Sequence, residues 1–185
     1  VTRSKGIERA AIATVYPTPK GISLLIDAGA NVDCKPQYLQ QFAIMGSIYC
    51  EKVLNIHNPK VAMVNIGTER EKGNLLVKES YSLLQESNMN FIGNIEARDI
   101  PYGYADVIVC DGFVGNVILK LTEGIAFSMF SVMKEEFSNG FWSKIGAYLL
   151  KPRFKNIKNI MDYREYGGAP LLGIKKPVIK AHRSS

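Results

Sequence analysis

Four short stretches of this 185-residue chain gather residue types suited to holding an anion. The first, Asp27-Ala28-Gly29-Ala30-Asn31-Val32-Asp33-Cys34-Lys35-Pro36, ends an apolar run and enters a helical pattern, with Pro36 suited to the first turn. Gly29 allows a tight turn, and Asn31, Asp33 and Lys35 add polar groups at one spot. The second runs from Asn65 to Asn74, where Lys72, Gly73 and Asn74 offer charge and backbone donors to a phosphate. It is not a Walker A loop, because GxxxxGK[ST] is absent. The third, Gly93 to Asp99, sets the Arg98 guanidinium beside Glu96 and Asp99. The fourth, Asp111-Gly112-Phe113-Val114-Gly115-Asn116, opens a long helical pattern with two glycines that let backbone N–H groups approach an anion.

Each stretch also has a plain structural reading. The first is a capped strand-to-helix turn, the second a solvated charged loop, the third a surface ion cluster and the fourth a helix start capped by Asn116. Their recurrence at one end of several parallel strands predicts a shared crevice, since ligands of open α/β sheets bind there. Spacing by itself names no reaction.

The elements that position these loops follow from hydrophobic periodicity. Runs rich in Val, Ile and Ala at Ala10–Tyr16, Ser23–Asp27, Lys60–Ile66, Asn90–Ile92 and Ala105–Cys110 predict strands. Helical spacing links Leu39, Ala43, Gly46, Cys50 and Val53, then Val77, Tyr81 and Leu84, then Ile118, Leu121, Ile125, Met129 and Val132. Near-continuous apolar strands alternating with amphipathic helices predict an α/β fold, with a mostly parallel sheet covered on both faces. The turn Pro17–Gly21 predicts an antiparallel hairpin between the first two strands. The whole chain, 1–185, reads as one α/β domain with an amphipathic helical hairpin inserted over 138–162, broken at Pro152.

Composition narrows the classes. The net charge is +6, and 46% of residues are hydrophobic, which is ordinary for a globular domain. No apolar run approaches the length of a bilayer span, and the N-terminus has no apolar signal core, so the expected location is cytoplasmic. Cys34, Cys50 and Cys110 form no CxxC pair and share no ligand spacing with His57 or His182, so no metal site is expected. In the hairpin, Trp142, Ile145, Leu149 and Leu150 alternate with Lys144, Lys151, Arg153, Lys155 and Lys158. That pattern fits a segment lying on anionic lipid at the inner face of the membrane, a dimer-packing helix pair, or a dock for an acidic protein. Nucleic acid is not an expected partner, because the basic residues cluster with apolar ones and no nucleic-acid motif is present.

The runs LLIDAGANVDCKP, QFAIMGSIYCEKVL, NIGTEREKGN, NFIGNIEARDI, ADVIVCDGFVGNVILK and YGGAPLLGIKKPVIKAH, in this order, resemble the bacterial acyl carrier protein phosphate acyltransferase family. The resemblance covers essentially the whole chain. It implies a three-layer sandwich related to the phosphate acetyltransferase and isocitrate dehydrogenase superfamily, and a homodimer. It also implies transfer of a fatty acyl group from acyl carrier protein to inorganic phosphate for phospholipid synthesis, with no metal or organic cofactor. By the same resemblance the chain starts near the middle of the usual family sequence. It stops just after His182, and Arg183 stands where glycine is usual.

Such a reaction needs phosphate placed on a thioester carbonyl, donors for the developing oxyanion and neutralisation of phosphate charge. Backbone N–H groups, Asn, Lys and Arg serve it better than a catalytic triad, and no triad is visible. The expected pocket residues are Gly29, Asn31, Asp33, Gly67, Gly73, Asn74, Arg98, Asp111, Gly112 and Gly115, with Lys72 and Asn116 as anion contacts. His182 is a candidate proton donor to sulfur or phosphate, with a hydrogen-bonded structural histidine as the equal alternative. Two rival readings are a phosphate acetyl- or butyryltransferase acting on coenzyme A thioesters, and a non-catalytic membrane or partner scaffold.

Overall fold

The computed structural model describes residues 2–160 and 168–180. In chain order the elements are β1 (Ala11–Thr18), β2 (Gly21–Ile26), α1 (Pro36–Lys52), β3 (Val61–Asn65), α2 (Leu75–Gln85) and β4 (Phe91–Glu96). A 3-10 helix (Ala97–Tyr102), β5 (Val107–Val109), α3 (Gly112–Ser138), α4 (Phe141–Ile160), β6 (Ala169–Leu172) and β7 (Ile179–Lys180) follow. Seven strands form one sheet in the order β4-β3-β5-β2-β1-β6-β7. The β4-β3-β5-β2 portion is parallel, and the rest is antiparallel.

The parallel strands read as unbroken apolar runs because both of their faces are buried. Leu24 and Ile26, Val61 and Met63, and Val107 and Val109 point to one core with Tyr38, Leu39 and Phe42 of α1 and Leu84 of α2. Leu25, Ala62, Ile108 and Cys110 point to the other, against Ile100 of the 3-10 helix and Val114, Ile118 and Leu119 of α3. Three layers result, as the sequence predicts. Gly46 brings α1 close to the sheet, for a β-carbon there would lie 2.7 Å from Val107 Cγ1.

Four features differ from the sequence expectations. Strand β4 continues to Glu96, past the expected end at Ile92, because Gly93 adopts φ +98° beside a register shift opposite Val61–Met63 and Ile95 is buried. Strands β6 and β7 escape the reading, since they are short and gain their definition from pairing with β1 and with each other. Helix α4 runs through Pro152 without a break, so the hairpin is made by the distal half of α3 and the whole of α4. A proline removes one ladder bond at a cost of about 3 kcal/mol. Packing on α3, including Phe154 against Phe137 at 5.1 Å, carries the helix across it. Finally, α3 is long and apolar enough, by length and composition, to cross a bilayer, although Lys120 and Glu123 interrupt its apolar run. Its first three turns are nevertheless committed to the sheet through Val114, Ile118 and Leu119 and a Tyr16–Thr122 hydroxyl contact of 3.0 Å.

Candidate functional site

All four parallel strands end at the same edge. The chain leaves β2 and β3 toward helices on one face and leaves β5 toward α3 on the other. Two gaps between diverging connections therefore flank β5, one between β5 and β2 and one between β5 and β3. Such switch points are where open α/β sheets receive ligands.

The β5/β2 gap is filled by the protein itself. Asp27, at the end of β2, is fully buried. Its Oδ1 accepts N–H bonds from Ile12 (3.0 Å), Gly29 (3.2 Å) and Ala30 (3.0 Å). Its Oδ2 accepts from Asn31 N (2.7 Å) and Asn31 Nδ2 (2.8 Å). Asn31 Nδ2 also donates to the Ala10 carbonyl at 2.8 Å. The loop so folded lies directly on the first turns of α3. Gly112 N donates to Asn31 O at 2.6 Å, and a β-carbon on Gly115 would come within 1.9 Å of Asp27 O. Gly29, at φ +121°, abuts the Asn116 side chain. The open faces of Gly112 and Gly115, which the sequence reading gives to an anion, are thus occupied by chain. Asp111 caps α3 by accepting from Val114 N at 2.9 Å, which corrects the reading of Asn116 as the cap. Asn116 instead lies exposed one turn into the helix.

The β5/β3 gap is receptive. Asn65, buried at the end of β3, folds the 66–74 loop by accepting from Ile66 N (2.8 Å) and donating to Lys72 O (3.0 Å). Gly73 (φ +96°) presses on Asn65, where a β-carbon would meet Oδ1 at 2.3 Å. Asn94 Nδ2 donates to Glu69 O at 3.1 Å and ties β4 to the same loop. Asn74 caps α2 by accepting from Val77 N at 2.9 Å. The N–H groups of Leu75 and Leu76 in α2, and of Phe113 in α3, have no protein acceptor among the described residues. No hydrogen bond or ion pair bridges the gap among these residues, and Ile66 and Phe113 stand exposed on either side of it.

Charges border this second gap. Lys72 Nζ lies 2.8 Å from Glu69 Oε1. The hydrogen bond between them holds Glu69 below its ordinary range and lifts Lys72 above its own. Both side chains are half exposed, so the pair is weak and exchangeable. Arg98 pairs with Glu96 at 2.9 Å and is largely exposed, on the outer side of β3 from α3. Asp33 is exposed beyond the first loop, and Gly67 is buried beneath the Lys72 and Glu69 side chains. His182 lies outside the described residues.

Thiol chemistry does not contribute. Burial first, then Asp111 and Asp27, pushes Cys34 up to about 11. Burial first, then Asp106, pushes Cys50 up to about 12, and buried Cys110 is raised well above its ordinary value. All three stay protonated near neutral pH and are poor nucleophiles. No metal-ligating cluster occurs among the described residues. A cavity of about 490 Å³ beside Thr2, Arg3, Ser4, Gly6, Ile7 and Glu8 contains none of the candidate residues.

Asp27 and Asn65 are the organising residues missing from the sequence-derived set. Both are polar side chains at the end of a buried apolar strand, where a polar group must find partners.

Fold and site together define an open α/β protein with one switch point beside β5 filled by its own chain and one left open. The profile of the fatty acid synthesis protein family matches residues 1–185, and the chain belongs to that family. It is 67% identical over 183 residues to a phosphate acyltransferase of Alkaliphilus oremlandii, covering 99% of this chain and 55% of that protein. It is 58% identical over 185 residues to a phosphate acyltransferase of Thermoanaerobacterium thermosaccharolyticum, covering 100% and 56%. The chain thus spans about half the length of the curated relatives it matches. Among solved structures, a branched-chain phosphotransacylase from Enterococcus faecalis V583 superposes with a TM-score of 0.60 at 17% identity, covering all of this chain and 59% of that one. The EutD phosphotransacetylase from Staphylococcus aureus gives 0.53 at 18% identity, covering 67% and 44%. These likenesses show the α/β fold.

Proposed function

We propose that this chain carries the phosphate-receiving part of a phosphate acyltransferase, which transfers a fatty acyl group from acyl carrier protein to inorganic phosphate. The observation that carries the reading is the 67% identity, over nearly the whole chain, to a protein named for that activity. The receptive gap suits the chemistry. Phosphate is held by the N–H groups of Leu75 and Leu76 at the positive end of α2, with Lys72 exchanging its Glu69 partner for the anion. A phosphate oxygen attacks the thioester carbonyl, the C–S bond breaks, and the phosphate proton passes to the departing sulfur. Phe113 N–H, at the start of α3 across the gap, faces the developing oxyanion, and Asn116 packs against Gly29 one turn further on. Gly29, Asn31, Asp111, Gly112 and Gly115 support that wall. No catalytic cysteine or metal enters the scheme.

The α3–α4 hairpin supports a peripheral seat on an anionic membrane. Trp142, Tyr148 and Leu149 are more than 70% exposed, and Lys144, Lys151, Arg153 and Lys155 share the helix with them. Its apolar surface continues along α3 through Leu121, Ile125, Met129 and Val132. A membrane-seated homodimer would use both faces of this hairpin.

The test is acyl phosphate formation by the full-length protein with acyl carrier protein thioester and phosphate, run beside coenzyme A thioesters. Preference for coenzyme A would move the substrate to the phosphotransacetylase class, and no phosphate-dependent cleavage of either would leave a scaffold. Liposome flotation of wild type against Leu149→Glu/Leu150→Glu tests the hairpin. Equal flotation would sink the membrane seat and, with a lighter sedimenting species, assign the face to a second copy.

A further inference from the structure

Asp27 stands out as a fully buried acidic side chain with no cationic partner among the described residues. Burial of a carboxylate costs several kcal/mol unless every lone pair finds a donor. Here five N–H groups supply those donors: three on Oδ1 from Ile12, Gly29 and Ala30, and two on Oδ2 from Asn31. A strand-to-loop turn does not require such an arrangement. What it secures is the contact surface of α3. Asn31, gripped twice by Oδ2, presents its carbonyl to Gly112 N at 2.6 Å. The Asp27 carbonyl lies under Gly115, and Gly29 lies against Asn116. One carboxylate therefore governs three successive seats of the α3 first turns.

We propose that Asp27 is a positioning residue for acyl transfer, its carboxylate setting the 27–31 loop against α3 and its Asn116 so that the first turn of α3, with the Phe113 N–H, is held beside the receptive gap. The proposal rests on the acyltransferase reading above. Asp27 touches no substrate, since all its accepting positions face protein donors. It acts through the loop and through α3. Displacing a reacting-centre contact by about 1 Å costs on the order of a hundredfold in rate.

Asp27→Asn keeps the shape and opposes an NH2 group to the two Asn31 donors, breaking two of the five bonds. In the full-length protein, at a temperature where circular dichroism is native for every variant, Asp27→Asn lowers kcat/KM for phosphate-dependent cleavage of acyl carrier protein thioester about a hundredfold. The pH profile keeps its shape. Adding Asn116→Ala brings little further loss, because both changes disable one unit. Full activity of folded Asp27→Asn, losses that multiply in the double variant, or a displaced pH profile would each overturn the assignment. If Asp27→Asn does not fold, Asn31→Ala removes only the side-chain bonds to Asp27 and Ala10, and is compared with Asn116→Ala by the same criteria. A wild type inactive with phosphate overturns the acyltransferase reading and this assignment together. An active wild type beside an active Asp27→Asn overturns this assignment alone.

Discussion

The two switch points of this sheet are built from similar sequence and used in opposite ways. Both have a glycine-bearing loop, a polar residue at the end of a buried strand and a helix start. At the β5/β2 gap the polar residue, Asp27, spends its whole hydrogen-bonding capacity on its own loop, and glycines let that loop lie on α3. At the β5/β3 gap Asn65 makes two bonds, the glycine presses inward on it, and the first N–H groups of α2 remain available. The lesson is that glycine and a helix N-terminus do not by themselves mark an anion site. What decides is whether the chain has already filled the space.

The comparison can be broken at either wall. The largest effect is expected from Gly115→Ala, whose new methyl would collide with the Asp27 carbonyl and cannot be relieved by a side-chain rotation. A loss of about 3 kcal/mol in urea unfolding is expected, and an unchanged midpoint would show that the sealed wall is loose. Gly73→Ala forces a β-carbon into a φ of +96° against Asn65 Oδ1. It should cost about 2 kcal/mol and raise the phosphate KM as well, because the α2 entry moves. Asn74→Ala removes one cap bond and should cost about 1 kcal/mol. Lys72→Ala should leave stability almost unchanged, since its ion pair is exposed, while raising the phosphate KM about tenfold. An unaltered phosphate KM would remove Lys72 from the receptive wall.

Much of the fold is legible from one sequence because burial on both faces writes itself as unbroken Val, Ile and Leu runs. Leu24–Ile26, Val61–Met63 and Val107–Val109 are such runs, and Pro36 sits at the start of α1 as expected. The four candidate loops do gather at one edge. Less legible is how they divide. Nothing local in Asp111–Asn116 says that Asn31 will occupy the space beside Gly112, because that contact spans some eighty residues of chain. Pro152 misleads for a related reason: local propensity argues for a break, and packing of α4 on α3 overrides it. Asp27 and Asn65 escaped the candidate set because a buried polar side chain shows its role only through its partners.

The Tyr16–Thr122 contact marks where α3 leaves the sheet. Beyond it, the sixteen residues Glu123–Ser138 continue as unbroken helix for about 24 Å. The same rod that forms the sealed wall therefore works as a strut of fixed length. Wherever its far end is moored, the receptive gap is kept at a set standoff from the mooring. Shortening or lengthening the rod by whole turns would change that reach without touching a residue of the gap.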